Sequence, residues 1–373
     1  MMAFEAFLAQ VKEQFGNRLP IVAYRKPNES TVRALLQSDT ELHLVTDFTE
    51  SGFVFAPFDT VKNTVLIPKE QCKTIECEFV STINQRASQH QDTDNTADKQ
   101  VHIALVQNAL EAIEKKDFHK VVVSRRETIL INDNDPSRIF LNLLDRYPTA
   151  FVYFFFHPKV GLWLGATPET LLRIEGNKLT TMSLAGTQKY NATTDVVWLQ
   201  KEKEEQQIVT DFIVEGLHKS VDKIEVSEVQ TVRAGHLLHL KTDILATIHP
   251  KTFHMGALLE QLHPTPAVCG LPKSIAKRFI LQNEQYDREY YTGFLGELNF
   301  KEKLLRNPNG RNIENNAYAS VKLVSQLYVN LRCMQLKDNQ VSVYVGGGIT
   351  KDSVPEKEWE ETVSKSQIIK SIL

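Results

Sequence analysis

YVGGGITKDSVPEKEWEETVSKSQII, residues 344–369, runs from a β-rich segment through three consecutive glycines into an acidic helix. Upstream, Ser325 to Leu336 and Gln340 to Val345 alternate apolar and polar residues, which predicts two strands joined by the turn-like Lys337-Asp338-Asn339. Downstream, a helix is expected from about Pro355 to Ile372, with the proline in its first turn. Gly346, Gly347 and Gly348 let the backbone approach a ligand closely and can turn N–H groups toward an anion. A tight turn at a strand end is the plainer alternative. Glu358 and Glu361, three residues apart, share one helix face. Lys365 lies a turn further on, where an ordinary pair with Glu361 would be worth about 0.3–0.5 kcal/mol.

Working outward, a second Glu-x-x-Glu pair, Glu202 and Glu205, sits in a long charged helix expected from about Asp195 to Ser220. Each pair brings its carboxylates within about 5–6 Å at Cβ. A solvated helix face accounts well for either pair alone. Brought together, however, four carboxylates repel unless a hard cation sits among them, and oxygen-only ligation suits Mg²⁺ or Ca²⁺. Three further residues have two readings each. In an unbroken strand Tyr328, Asn330 and Arg332 share a face opposite Leu327, Val329, Leu331 and Cys333. Arg332 is then either solvent-exposed or a fork for a carboxylate. Lys120, opening HKVVVSRRETI, either snorkels to water or serves as a base in a dry cleft. Glu169, in LGATPETLLRIEG, is either a dipole-favoured first-turn residue or a general acid.

Elsewhere the first fifteen residues read as an amphipathic helix, not a signal peptide. Strand candidates follow at Leu42–Thr46, Gly52–Phe55 and Thr64–Ile67. Residues 84–99, NQRASQHQDTDNTADK, form a polar break expected to be a flexible loop. It separates an N-terminal section, 1–99, from a core, 100–373, the two being expected to form one structural unit. Beyond it come helices at about Val101–Lys115, Pro136–Arg146, His254–Leu262 and Pro272–Asn283. Strands are expected at Lys120–Ile131, Ala150–His157, Gly161–Leu164 and Leu171–Ile174. Many strands without regular βαβ alternation argue for α+β with mostly antiparallel sheets. A net charge of -3 lends no support to nucleic-acid or membrane-surface binding. The longest apolar runs, such as Ala150 to Phe156, are too short to span a bilayer. Cys72, Cys77, Cys269 and Cys333 lack C-x-x-C spacing, and reduced thiols in a cytoplasmic protein are expected.

HKVVVSR, GATPETLL, SLAGTQ, KEKEEQQIV, LHPTPAVCG, FLGEL, LRC and VGGGI…EWEETVSK follow one another in the order that they have in the chorismate-utilising enzymes, which the chain resembles over about residues 100–370. That family includes isochorismate, anthranilate, salicylate and aminodeoxychorismate synthases. The resemblance implies an anthranilate synthase component I-like fold, with two large, mostly antiparallel sheets around a cleft and helices outside. It implies chorismate as substrate and Mg²⁺ as cofactor. Glu205 and Glu361 are then direct metal ligands, while Glu202 and Glu358 act through water. Arg332, Lys365 and the amides around Gly347 and Gly348 hold substrate carboxylates. Gly186 and Thr187 line the site, and His239 of LLHLKT lies near the substrate.

One departure stands out: Gln206 follows Glu205 where the family often has histidine, and tuning of the site is expected from it. Lysine at Lys120 is similar to members that attack chorismate with water, where anthranilate synthases typically have glutamine and use a glutaminase partner. The resemblance therefore implies isochorismate synthase activity, with Lys120 as base, Glu169 as acid and no glutaminase subunit. Salicylate synthase and a non-catalytic chorismate-binding relative are the alternatives. A monomer is expected, and menaquinone synthesis is favoured over siderophore synthesis.

Overall fold

The computed structural model describes residues 2–81, 96–131, 135–190, 193–234, 237–249, 252–304 and 320–373. The chain opens with helix α1 (Phe4–Gly16) and strands β1 (Ile21–Arg25), β2 (Thr31–Gln37), β3 (His43–Leu44), β4 (Gly52–Ala56), β5 (Val65–Pro68) and β6 (Cys72–Glu78). Next come α2 (Thr96–Glu114), β7 (Lys120–Leu130), α3 (Pro136–Arg146), β8 (Phe151–His157), β9 (Gly161–Thr167), β10 (Thr170–Glu175) and β11 (Lys178–Lys189). Helix α4 (Gln200–Leu217) precedes β12 (Val221–Val226), β13 (Gln230–Ala234) and β14 (Leu237–Ile248). The remainder holds α5 (Met255–Leu262), β15 (Gly270–Leu271), α6 (Lys273–Asn283), β16 (Phe294–Leu304), β17 (Ser320–Val329), β18 (Cys333–Lys337), β19 (Gln340–Ile349) and α7 (Pro355–Lys370).

Among the described residues the strands form two antiparallel sheets. The first has the order β15-β7-β19-β18-β9-β8-β1-β2-β6. The second runs β12-β14-β11-β10-β17-β16-β4-β5-β3, with β13 also paired to β14. The sheets pack face to face. Strand β8, FVYFFFH, shows why: it is buried at every position because its two faces serve two cores. Phe151, Tyr153 and Phe155 point between the sheets, onto Phe53, Phe55, Leu295 and Tyr328. Val152, Phe154 and Phe156 point outward, under Phe7 of α1, Phe140 of α3 and Ile369 of α7. Period-two alternation thus assigns each side chain to a layer. Helices α4 and α5 cover the outer face of the second sheet, with Val209, Ile213, Leu258 and Leu262 in that core. The α+β class and the paired antiparallel sheets are as expected.

Several boundaries differ from expectation. The polar break falls mostly outside the described residues, and Thr96 to Lys99 already belong to α2. Helix α4 is shorter than Asp195–Ser220, and Leu42–Thr46 contributes only the two residues of β3. The segment Ser325–Leu336 is not one strand. β17 ends at Val329 in the second sheet, β18 starts at Cys333 in the first, and Asn330-Leu331-Arg332 crosses between them. Arg332 takes φ 48°, a left-handed conformation, so its side chain leaves the face that an unbroken strand would give it. Among the described residues no helix is long and apolar enough to cross a membrane.

Candidate active site

Helix α4 lies on the second sheet and α7 on the first, so one acid of each Glu-x-x-Glu pair, Glu205 and Glu361, lines one cavity from opposite layers, while Glu202 and Glu358 stand behind that lining. Strand β19 separates them, and its glycines make room. Gly346, Gly347 and Gly348 form no turn; they are ladder residues opposite Ser124, Val123 and Val122 of β7, and none has positive φ. What they supply is space. A Cβ on Gly348 would stand 2.7 Å from Glu205 Oε1 and 3.1 Å from Lys120 Cε. One on Gly347 would lie 3.4 Å from Glu358 Oε2 and 3.9 Å from Glu361 Oε1. Glu202 is close to Gly186, whose Cβ would meet Glu202 Cβ at 3.1 Å. Gly186 also has φ 73°, within the register shift between β11 and β14 that a side chain would strain.

Three of the four carboxylates are paired with lysines. Lys120 Nζ is 2.9 Å from Glu205 Oε1, Lys201 Nζ is 2.7 Å from Glu358 Oε1, and Lys365 Nζ is 2.7 Å from Glu361 Oε1. Lys365 also donates to the Gly346 carbonyl at 2.9 Å. The fourth acid is the exception: Glu202 Oε2 is buried without a hydrogen-bond partner. Burial works against the charge on Glu205, but Lys120, Lys365 and Lys201 outweigh it and hold its pKa below the usual value. Burial raises Glu358, with the charge of Glu361 adding to it and Lys201 opposing. The four carboxylates are an all-oxygen donor set of the kind a hard divalent cation takes, and Glu202 leaves one buried oxygen unsatisfied; with the other three on lysines, no three of them bring their oxygens within 4.8 Å of one another as placed.

The other wall carries acid and cation groups. Glu169 follows β9, 5% exposed, with its N–H on Thr167 Oγ1 at 3.3 Å. Burial pushes its pKa up to about 8, and the charges of Lys120 and Arg332 only partly offset this. It is therefore mostly protonated at neutral pH. Arg332 Nη2 lies 3.1 Å from His239 Nε2, and His239 Nδ1 lies 2.9 Å from the Gly186 carbonyl oxygen. A carbonyl can only accept, so Nδ1 carries the hydrogen and Nε2 accepts from Arg332. Burial, helped by Arg332, lowers His239 to about 3, so the ring stays neutral and aims the guanidinium. Thr187 Oγ1 is 3.4 Å from the same Nδ1.

Glu169, Gly186, Thr187, Glu205, His239, Arg332, Gly347, Gly348, Glu361 and Lys365 all line this cavity. Apolar surface comes from Val122, Leu184, Ala267, Val268, Leu331 and Ile369, with Tyr291 and Tyr344 beside them. Cations set in an apolar wall suit a small, partly apolar anion. Lys120, at 0% exposure, and Glu358, at 3%, stand behind this lining rather than in it. Gln206 lies outside the cavity lining. It faces away from the cavity, and its Nε2 lies 3.0 Å from Ser183 Oγ, 3.0 Å from Thr210 Oγ1 and 2.7 Å from Thr242 Oγ1. Its work is seating α4 on β11 and β14. Lys201 does not stand out in the sequence because a lysine in KEKEE reads as surface charge; its spacing of four from Glu205 is the signal it offers.

These features can be set beside known proteins. Isochorismate synthase MenF of Escherichia coli is 28% identical over 286 residues, which cover 74% of this chain and 61% of MenF. Anthranilate synthase component 1 of Aquifex aeolicus is 25% identical over 276 residues, 71% of this chain and 51% of that protein. The chain thus spans 51–61% of the length of these two relatives. In fold it is similar to a Bacillus anthracis protein described as the 2,3-dihydroxybenzoate-specific isochorismate synthase DhbC. The TM-score is 0.75 at 20% identity, covering 97% of this chain and 98% of the other. Anthranilate synthase component I of Streptococcus pneumoniae gives a TM-score of 0.62 at 19% identity, covering 89% and 82%. The carboxylate cavity between two antiparallel sheets lies within a pattern that extends along the chain: residues 51–303 match the family described as chorismate binding enzyme, and residues 317–371 match a second family of that description. The chain belongs to the chorismate binding enzymes.

Proposed function

We propose that the chain is an isochorismate synthase, converting chorismate reversibly to isochorismate with Mg²⁺ as cofactor. The observation that carries this reading is a buried carboxyl of raised pKa, Glu169, in the wall of a cavity that Arg332 and Lys365 also line, with the fully buried Lys120 behind that lining and close enough for its charge to act on Glu169. In the proposed reaction a water loses its proton to Lys120 and its oxygen bonds to C2 of the ring. The ring double bonds shift, the C4–O bond breaks, and Glu169 protonates the departing hydroxyl, so one water enters and one leaves. Lys120 Nζ stands 2.9 Å from Glu205 Oε1, beside the carboxylate that the proposal makes a direct cation ligand. Arg332, aimed by His239, and Lys365 hold the substrate carboxylates. Glu205 and Glu361 would hold Mg²⁺ directly, with Glu202 and Glu358 acting through water, and the cation would neutralise charge on a substrate carboxylate.

Overall identity does not separate isochorismate from anthranilate synthases, since both occur among the relatives at 25–29%. Lysine at position 120 favours the water-using reaction, which needs no glutaminase subunit. A cytoplasmic monomer acting toward menaquinone completes the proposal. The test is incubation of the purified protein with chorismate, with Mg²⁺ or with EDTA, and chromatography of the products. Isochorismate is expected with Mg²⁺ only. Accumulation of salicylate and pyruvate would replace this reading with salicylate synthase, and unchanged chorismate would leave a binding protein.

A further inference from the structure

We infer that Lys201 holds the two acid-bearing helices together when no cation is bound, and thereby weakens the affinity of the site for Mg²⁺. The inference rests on the cation site proposed above.

Lys201 precedes Glu202 on α4 and stands four residues before Glu205, so it shares the helix face of Glu205. Its ammonium nevertheless crosses to α7, where it lies 2.7 Å from Glu358 Oε1. Among the described ion pairs this is the one that joins α4 to α7. The side chain of Glu358 is 3% exposed, so the pair is poorly screened by solvent on that side. Lys120 and Lys365 have tasks in the proposed reaction, whereas Lys201 is not part of the cavity lining.

Without a cation, two carboxylates on each helix repel across the cleft, and an unpaired buried charge at Glu358 would be costly. Lys201 offsets both effects. A divalent cation entering the cluster would supply that compensation itself, and the nearby ammonium would then oppose it by like-charge repulsion. Lys201 is therefore a positioning residue whose removal acts in opposite directions on the two states.

The experiment is isothermal titration calorimetry of the whole chain with MgCl₂, without chorismate, beside thermal unfolding in EDTA and in saturating Mg²⁺. Lys201→Met is expected to bind Mg²⁺ about tenfold or more tightly than the wild type. Its Tm should drop in EDTA, and saturating Mg²⁺ should close most of that gap. Lys201→Arg should keep the wild-type affinity and both Tm values. Should the methionine variant fail to fold, Lys201→Gln carries the same expectations. A wild type that binds Mg²⁺ and a variant that binds it equally would overturn the role of Lys201, as would equal Tm losses in EDTA and Mg²⁺, the mark of a merely structural residue. A wild type that takes up no Mg²⁺ would instead overturn the cation site.

Discussion

Glu169 gives the proposed reaction its pH signature. A general acid must hold its proton, and burial keeps this carboxyl protonated up to about pH 8. Turnover limited by that step should fall as pH rises through about 8, since the protonated fraction declines tenfold per unit above the pKa. The kcat–pH profile should show this limb in the wild type, and Glu169→Gln should lack it while turning over about 10²-fold more slowly or worse. A basic limb that survives unchanged in the variant would take Glu169 out of the acid role. Lys120→Ala should lower kcat by a similar factor, and near-normal turnover in steady-state assays would remove Lys120 as base. Both residues stand out in short motifs, HKVVVSR and GATPETLL, yet nothing in those motifs announces their burial. Lys120 is enclosed because β7 is an interior strand next to β19, and the two are far apart in sequence.

At the scale of elements, local chemistry marked some boundaries well and tertiary pairing set the others. Helix α3 begins where Pro136 predicts, with the Asp135 side chain accepting from the Ser137 N–H as its N-cap. By contrast, period-two alternation continues through Asn330, Leu331 and Arg332, and nothing in it announces that β17 and β18 join different sheets. Gln206 sits among acids and glutamines and reads as exposed; its hydroxyl partners come from β11, β14 and the next turn of α4. Strand β6, CKTIECE, buries only Ile75 and Cys77, too weak an alternation to stand out. The glycines of β19 yield a test of spacing. Their backbone is extended, so alanine strains neither position. Gly348→Ala would still place Cβ 2.7 Å from Glu205 Oε1, pushing aside a flexible carboxylate that the proposed site needs in place. Gly347→Ala meets nothing nearer than 3.4 Å. Gly348→Ala is expected to lose more than tenfold in kcat/KM with little change in Tm, and Gly347→Ala to lose much less. The reverse order in steady-state assays would mean that the acids do not depend on this clearance.

For the whole molecule the question is whether the N-terminal section can be spared, since every residue of the proposed site lies between Lys120 and Lys365. The topology says that it cannot. Residues 21–78 supply β1, β2 and β6 to the first sheet and β3, β4 and β5 to the second. Within these, β1 pairs with β8 from Ile21 opposite Phe156 to Arg25 opposite Val152, and β4 pairs with β16 from Ala56 opposite Phe294 to Gly52 opposite Leu298. Cutting the chain within residues 82–95 and expressing 96–373 alone would bare the backbone edges of β8 and β16. It would also uncover Phe151, Tyr153 and Phe155, which now pack on Phe53 and Phe55. At about 1.5–3 kcal/mol for each buried aromatic, those three residues alone approach the roughly 5–15 kcal/mol that stabilises a typical domain. Fragment 96–373 is therefore expected to aggregate or to bind hydrophobic dyes, and to consume no chorismate despite its full set of site residues. Co-expression with residues 1–81 should restore part of the soluble, active complex. Size-exclusion chromatography and near-ultraviolet circular dichroism decide the matter, and a monodisperse 96–373 with a sharp thermal transition would show that the two sheets close around the cavity without their N-terminal strands.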